Sequence, residues 1–483
     1  MTPSEGHSSP PPHLLRSLAA VIVGSLFLRA AAGAMGENIQ FYFNAIHAAA
    51  LSANQPLRAI AGAKNVYPIS YTLGGIIIGT FFVAELLGAL FLGAWSDRFG
   101  RKWFIILGPL FGAVAVLITS ITTAVWLLVL TRLLEGLSTG SNAPATLGYI
   151  AEATSNSSRL RTRIAGFFEI ATIGGIAIGF SLGGWLWREF GTAAIVAGIP
   201  MTSPAFAANA VVYLISLVVL WLGLGRLMEP GRNAARPAIS PAETLRRYWA
   251  IVSDARIASF APAWIAINAV LGIWINLSAR ILTDKAAFSN QLLVGRFDSF
   301  QAGNIWAGYA AFFILGIFLW SVLLPNIKKA NAMLIGTGGL IVSCLLILAI
   351  NHQAALNAPL VLPLAILLVI SIMVQSGFTP AALAYLADIT ETRTMERGAI
   401  MGLYSVFLGL GQFFGASLGG IFVDWRGADG MVLATGLLGI FAAFLIMRLR
   451  ATSGPDIKGG GIPRDSEPSV HPEPAGRAGM EKG

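Results

Sequence analysis

Apolar runs long enough to cross a bilayer, about 20 residues each, recur from about Ser17 to Arg448, and twelve can be counted. Hydrophobic residues make up 55% of the chain and charged ones 11%, where a soluble domain carries roughly 25% charge. The mean hydropathy is +0.72. This balance belongs to an all-α integral membrane protein, multi-pass and embedded in a lipid bilayer. Only residues 1–16 and 449–483 are clearly polar, rich in Pro, Gly, Ser and charge, and disorder is expected in both. A removable signal peptide is not expected, because the first apolar stretch is longer than a signal core. Cys344 is the one cysteine, so neither an intrachain disulfide nor a thiolate metal site can form.

The net charge of +9 carries less information than where the charges fall. Basic residues cluster in alternate connections: Arg98, Arg101 and Lys102; Arg159, Arg161 and Arg163; a long run from Arg226 to Arg256; and Lys328 with Lys329. The positive-inside rule makes these connections cytoplasmic, which leaves both termini inside. The charge therefore speaks for a membrane and not for nucleic acid. Residues 227–256 form the longest inner connection, and Ser240, Pro241 and Glu243 there read as the start of a short surface helix.

The chain repeats itself. A shift of 236 residues lays "PATLGYIAEAT" from Pro144 on "PAALAYLADIT" from Pro380, and "GFSLGG" from Gly179 on "GASLGG" from Gly415. Two matches in one register predict two six-helix bundles of common design, residues 17–226 and 257–448.

The connection "GAWSDRFGRK" is the most distinctive motif. Gly93 allows close helix approach, Gly100 permits a tight turn, and Asp97 with Arg98, Arg101 and Lys102 forms a compact charged latch. On these residues the chain resembles the major facilitator superfamily, whose second and third helices are joined by a glycine, Asp-Arg and Gly-Arg-Arg/Lys. Arg132, Gly136 and Gly140 match its fourth helix. Gly175, Gly179, Gly183 and Gly184 match the fifth helix of its antiporter branches, with Phe180 standing where those carry proline. The corresponding connection of the second half, "LPNIKKAN", keeps only basic residues.

The resemblance implies a rocker-switch carrier of twelve helices, with a substrate cavity between the halves lined by the first, fourth, seventh and tenth. It also implies that Asp97 caps the helix start near Gly398 and that Arg101 pairs with Glu152, together closing the cytoplasmic gate. Gly175, Gly179 and Gly183 are expected to pack against the other half.

Charges inside spans are costly unless paired and mark function or pairing. Five read as lying well inside: Arg29, Glu85, Arg132, Glu135 and Glu169, all in the first half. Arg132 and Glu135, three apart on a helix, can pair; Arg29 and Glu85 fall near the midplane and can pair across helices; Glu169 sits shallower. Static ion pairing is one reading. The other is coupling: three glutamates against two arginines leave one negative charge that a proton would neutralise, with Glu135 the first choice and Glu169 the second. In the second half Asn268, Asn276, Gln375 and Gln412 offer neutral hydrogen-bonding groups, and Trp264 and Trp274 serve packing or substrate contact.

The expected function is proton-coupled transport of a small organic solute by a monomer in the cell membrane, with export favoured and no cofactor. Symport of a sugar or organic anion is the alternative, with Arg132 holding the substrate; a non-transporting sensor or scaffold is more remote. An enzyme is not expected. His7, His13, His47, His352 and His471 lie in or near tails and loops, and no metal-ligand spacing, nucleotide loop or nucleophile beside a base occurs.

Overall fold

The computed structural model describes residues 12–52, 54–62, 66–155, 157–224, 246, 249, 252–285, 288, 290–391 and 397–452. The expected surface helix after Ser240 falls outside them, apart from Arg246 and Trp249, as do residues 1–11 and 453–483 of the polar tails; residues 12–16 and 449–452, expected to be disordered, are helical, because the first and last spans run on past their apolar stretches.

Helices dominate. The first half holds α1 (Pro12–Leu51), a short α2 (Pro56–Ala61), α3 (Tyr71–Phe99), α4 (Arg101–Thr119), α5 (Val125–Ala153), α6 (Ser158–Phe190) and α7 (Pro204–Gly223). The second holds α8 (Ala255–Thr283), α9 (Ser299–Leu323), α10 (Lys329–Asn351), α11 (Val361–Gln375), α12 (Phe378–Glu391) and α13 (Arg397–Thr452). Between α6 and α7 a two-stranded ribbon, β1 (Ala194–Val196) and β2 (Ile199–Met201), turns through Ala197 and Gly198, both at positive φ.

Ten helical segments among the described residues are long and apolar enough to cross a membrane. α5 is not one of them because Arg132, Glu135 and Glu152 dilute it, yet it packs within the first bundle against α3 and α4. α13 turns back at Gly427, whose φ of 61° lies in the left-handed region open to glycine, so its residues 397–426 and 428–452 form two legs. α11 and α12 together make one span. The fold is the twelve-helix arrangement read from the sequence.

Gly100, at φ 96°, ends α3 and reverses the chain into α4. The end of the molecule carrying this turn and the other basic connections is called the basic end here, and the opposite one the far end. Within the halves, α1 packs on α6 and α7, α3 on α5, and α8 on α13. The halves meet along two seams, α3 against α13 and α6 against α9, with α1 touching α8.

Both seams are in backbone contact at the far end. A methyl added to Gly75 or Gly420 would strike the opposing backbone, at Ala416 and Thr72 respectively; at Gly409, nearer the basic end, it would lie in ordinary van der Waals contact with the Phe82 carbonyl, at 3.7 Å. On the other seam Gly184 and Gly303 are in backbone contact with Ser299 and Phe180.

Candidate functional site

At the far end the halves are sewn together by Arg280, a residue of α8 only 1% exposed. Its guanidinium donates to the carbonyls of Ile69 and Ser70 and to Asn44 Oδ1 (3.0 Å), and lies 4.1 Å over the Tyr71 ring. Asn44 returns a bond to the Arg280 carbonyl, and Gln40 donates to that of Ile275. Asp424 of α13 accepts from the amides of Tyr71 and Thr72 (2.8 Å each), capping α3 from the other half. Tyr71 Oη donates to Asp284 (2.8 Å).

In the first half, Arg132 and Glu135 are almost fully buried and ion-paired on α5, and Tyr213 of α7 donates to Glu135 (3.2 Å). Arg29 and Glu85 are partly exposed and make no ion pair with each other, although Arg29 and Glu135 both lie within electrostatic reach of Glu85. These four form one cluster of two positive and two negative charges.

Glu169 does not belong to it. Its side chain is exposed on α6. Two residues that the sequence reading passed over are buried instead. Arg280 overturns the expectation that buried charge is confined to the first half. Glu37 of α1 is 0% exposed, with neither carboxylate oxygen hydrogen-bonded, and its β-carbon faces Gly183. Both were missed for one reason: a span of about 20 residues places them at its rim, whereas α1 runs for 40 residues and α8 for 29.

At the basic end Arg101 crosses α5 over Gly148, where any β-carbon would collide with it, and pairs with Glu152 at 2.9 Å. Gly93 lies against Pro144, Arg98 is exposed with its guanidinium over Phe99, and Lys102 is half-buried at the start of α4. The side chain of Asp97, and those around Gly398 that it is expected to meet, lie outside the described residues. The second half has more than basic residues here: Lys329 pairs with Asp388. Asp388 stands in "LADIT" where Glu152 stands in "IAEAT", so the repeat already carried this signal.

Gly175, Gly179 and Gly183 face α1 of their own half, at Leu26, Ala30 and Ala34, correcting the expectation that they face the other half; Gly184 alone of the four meets it, at Ser299. Small residues let two helices of one bundle approach closely, and this need is met inside the half first.

A cavity of about 550 Å³ lies within the second half, lined from α8, α9, α10, α11 and α12. Asn268 and Gln375 are on its wall, as are Trp264 and Trp274. Trp264 stacks on Phe378, and Trp274 donates to Thr435 (2.8 Å). Asn276 and Gln412 are buried beside Gly272, away from this wall.

A two-half bundle of membrane-spanning helices with a seam sealed at one end, a buried charge cluster and an apolar chamber defines a polytopic membrane carrier. The comparisons make the class specific. The Major Facilitator Superfamily model matches residues 18–295 and 286–475, and the chain belongs to this family of transporters; it is not an enzyme. Multidrug resistance protein 1 of Bacillus subtilis is 27% identical over 375 residues, 74% of this chain and 83% of that protein. The arabinose-proton symporter of the same organism is 27% identical over 119 residues, 25% of each chain. In fold, the chain superposes on a crystal structure of the nucleoside transporter NupG with a TM-score of 0.66 at 15% identity, covering 90% of this chain and 98% of that one. A D-xylose-proton symporter gives 0.64 at 14%, covering 90% and 98%.

Proposed function

We propose that the chain exports a small, largely apolar organic solute in exchange for protons. The basic end would face the cytoplasm, with both termini on that side of the cell membrane, and the protein would act as a monomer. The observation that carries the coupling is Glu37. The Arg132 cluster is neutral with all four groups ionised, so it needs no proton. Among the described residues Glu37 is buried without a partner, and an isolated carboxylate in such a place is costly unless neutralised. A proton bound at Glu37 neutralises it; rocking of the halves exposes it to one side and then the other. This moves the carrier from Glu135 to a residue of α1 that rests on the α6 glycine face.

Export is favoured by the names of two relatives matched over more than 70% of the chain, multidrug resistance proteins 1 and 2, and by the apolar wall around Asn268 and Gln375. Sugar or anion symport has less support, because Arg132 is already occupied by Glu135. Gly93, Asp97, Arg98, Gly100, Arg101, Lys102 and Glu152 would form the cytoplasmic gate, and the Arg280 network the outer one. The backbone contact of both seams at the far end corresponds to a carrier closed on that side.

The test is flux in proteoliposomes. Glu37→Gln should abolish solute movement driven by a pH gradient while leaving solute exchange intact, and Glu135→Gln should slow both. Gradient-driven flux equal to wild type in Glu37→Gln would reject Glu37 as the carrier.

A further inference from the structure

The two halves share a scaffold but fill it differently. Gly175 and Gly179 rest on Leu26 and Ala30 of α1, and their repeat partners Gly411 and Gly415 rest on Ile265 and Ala269 of α8, which makes Asn268 the counterpart of Arg29. Gly75 meets Ala416 as Gly303 meets Phe180, and Gly420 meets Thr72 as Gly184 meets Phe300, which makes Phe313 the counterpart of Glu85. The register of the repeat pairs Arg132 with Leu368 and Glu135 with Ser371. Asn268, Phe313 and Leu368 all line the cavity of the second half, and Ser371 is hydrogen-bonded to Ser343 in its wall. The volume that holds an ionic cluster in one half is an apolar chamber in the other.

The chamber is held open by its own helices. In the first half α3 lies directly on α5, because Gly136 and Gly140 let the carbonyls of Phe81 and Glu85 approach. In the second half Ile372 and Ser376 occupy these two places. Ile372 lies on the chamber wall; the backbones of α9 and α11 approach at Gly316, against Met373 and Ser376, and Gln375 reaches Tyr309 by a hydrogen bond. Ile305 and Phe312 of α9, both on the chamber wall, are 43% and 39% exposed, whereas their counterparts Ile77 and Ala84 are buried.

We propose that this chamber is a binding site for a neutral, mainly aromatic molecule with one hydrogen-bond donor, admitted through the gap between α9 and α11. A volume of about 550 Å³ lies within the roughly 300–1,000 Å³ of small-molecule sites. Its walls are aromatic, with Trp264, Trp274, Trp306, Tyr309 and Phe378, and among the described residues none that lines it is charged. An ion entering would lose its hydration without a countercharge. Gln375 donates to Tyr309 Oη (3.0 Å), while its Oε1 is buried without a partner and offers a carbonyl to a ligand N–H or O–H. This deepens the proposed export of an apolar solute by naming where and in what form the solute binds. It does not depend on proton coupling.

The test is equilibrium binding to the full chain in nanodiscs, without a gradient. The probe is N-phenyl-1-naphthylamine, neutral with one N–H, read by energy transfer from tryptophan; pyrene, which has no donor, is the comparison. Gly308 is on the chamber wall with nothing within 4 Å of its β-position, so Gly308→Leu adds bulk at the wall without displacing backbone. Gly338 of α10 is equally open but off the wall, and Gly338→Leu is the control. Gly308→Leu should weaken the naphthylamine about tenfold or more, Gly338→Leu should not, and both should melt near wild type. Gln375→Leu should weaken the naphthylamine several-fold and leave pyrene unchanged. Saturable binding in Gly308→Leu equal to wild type, or none in wild type, overturns the proposal. So does an acyl chain in the chamber: phospholipid with brominated chains would then quench wild-type tryptophan more than Gly308→Leu, with no saturable probe binding.

Discussion

Arg280 shows how one buried cation can join two bodies that the proposed rocking would part. Its hydrogen bonds go mainly to backbone carbonyls at Ile69 and Ser70 and to the Asn44 amide oxygen, which are neutral acceptors, so separation requires no pair of opposite charges to be pulled apart. Removing the guanidinium leaves buried carbonyls unsatisfied, at about 1–3 kcal/mol each. Arg280→Gln should therefore open the far end without unfolding the halves. In a Cys344→Ala background, a cysteine placed at Val66, which is 8% exposed, should react faster with an impermeant maleimide once Arg280 is replaced. Equal labelling rates would mean that the remaining bonds hold the seal alone.

Among the elements, α6 divides its glycines between two tasks. Gly179 is pressed against Ala30 within the first half, and Gly184 against Ser299 of the second. A leucine at either position must displace backbone, but different bodies move. Gly179→Leu should disrupt the α1–α6 packing of the bundle itself, costing about 1–3 kcal/mol as overpacking does and lowering the yield of folded protein. Gly184→Leu should leave both bundles intact, with a melting temperature near wild type, and disfavour the state sealed at the far end. Comparing yield and melting with flux for the two variants separates these outcomes, and equal loss of folded protein in both would contradict the division.

For the whole molecule, transport by rocking requires the far seam to open in every cycle. Asn44 of α1 and Thr283 of α8 are hydrogen-bonded across that seam at 3.2 Å. The double variant Asn44→Cys with Thr283→Cys, made in Cys344→Ala, should form a disulfide on oxidation and stop flux, and reduction should restore it. Undiminished flux in fully cross-linked protein would show that the halves do not separate there.

Much of this was legible in the residues. Twelve apolar runs, a repeat in one register and the latch "GAWSDRFGRK" suffice for a two-bundle carrier, because bilayer thickness, backbone hydrogen bonding and a glycine turn act locally. The Arg132–Glu135 pair was legible too, being set by helical spacing alone. Burial was not. Glu169 is exposed on α6, while Glu37 and Arg280, which the sequence reading passed over, are enclosed, since the neighbour each helix face meets is decided by packing between segments distant in sequence. The same holds for the chamber: Ile372 standing where the first half has Gly136 is visible in the repeat, but only the tertiary structure shows that it lines a chamber, because what a side chain faces depends on the helix that packs against it.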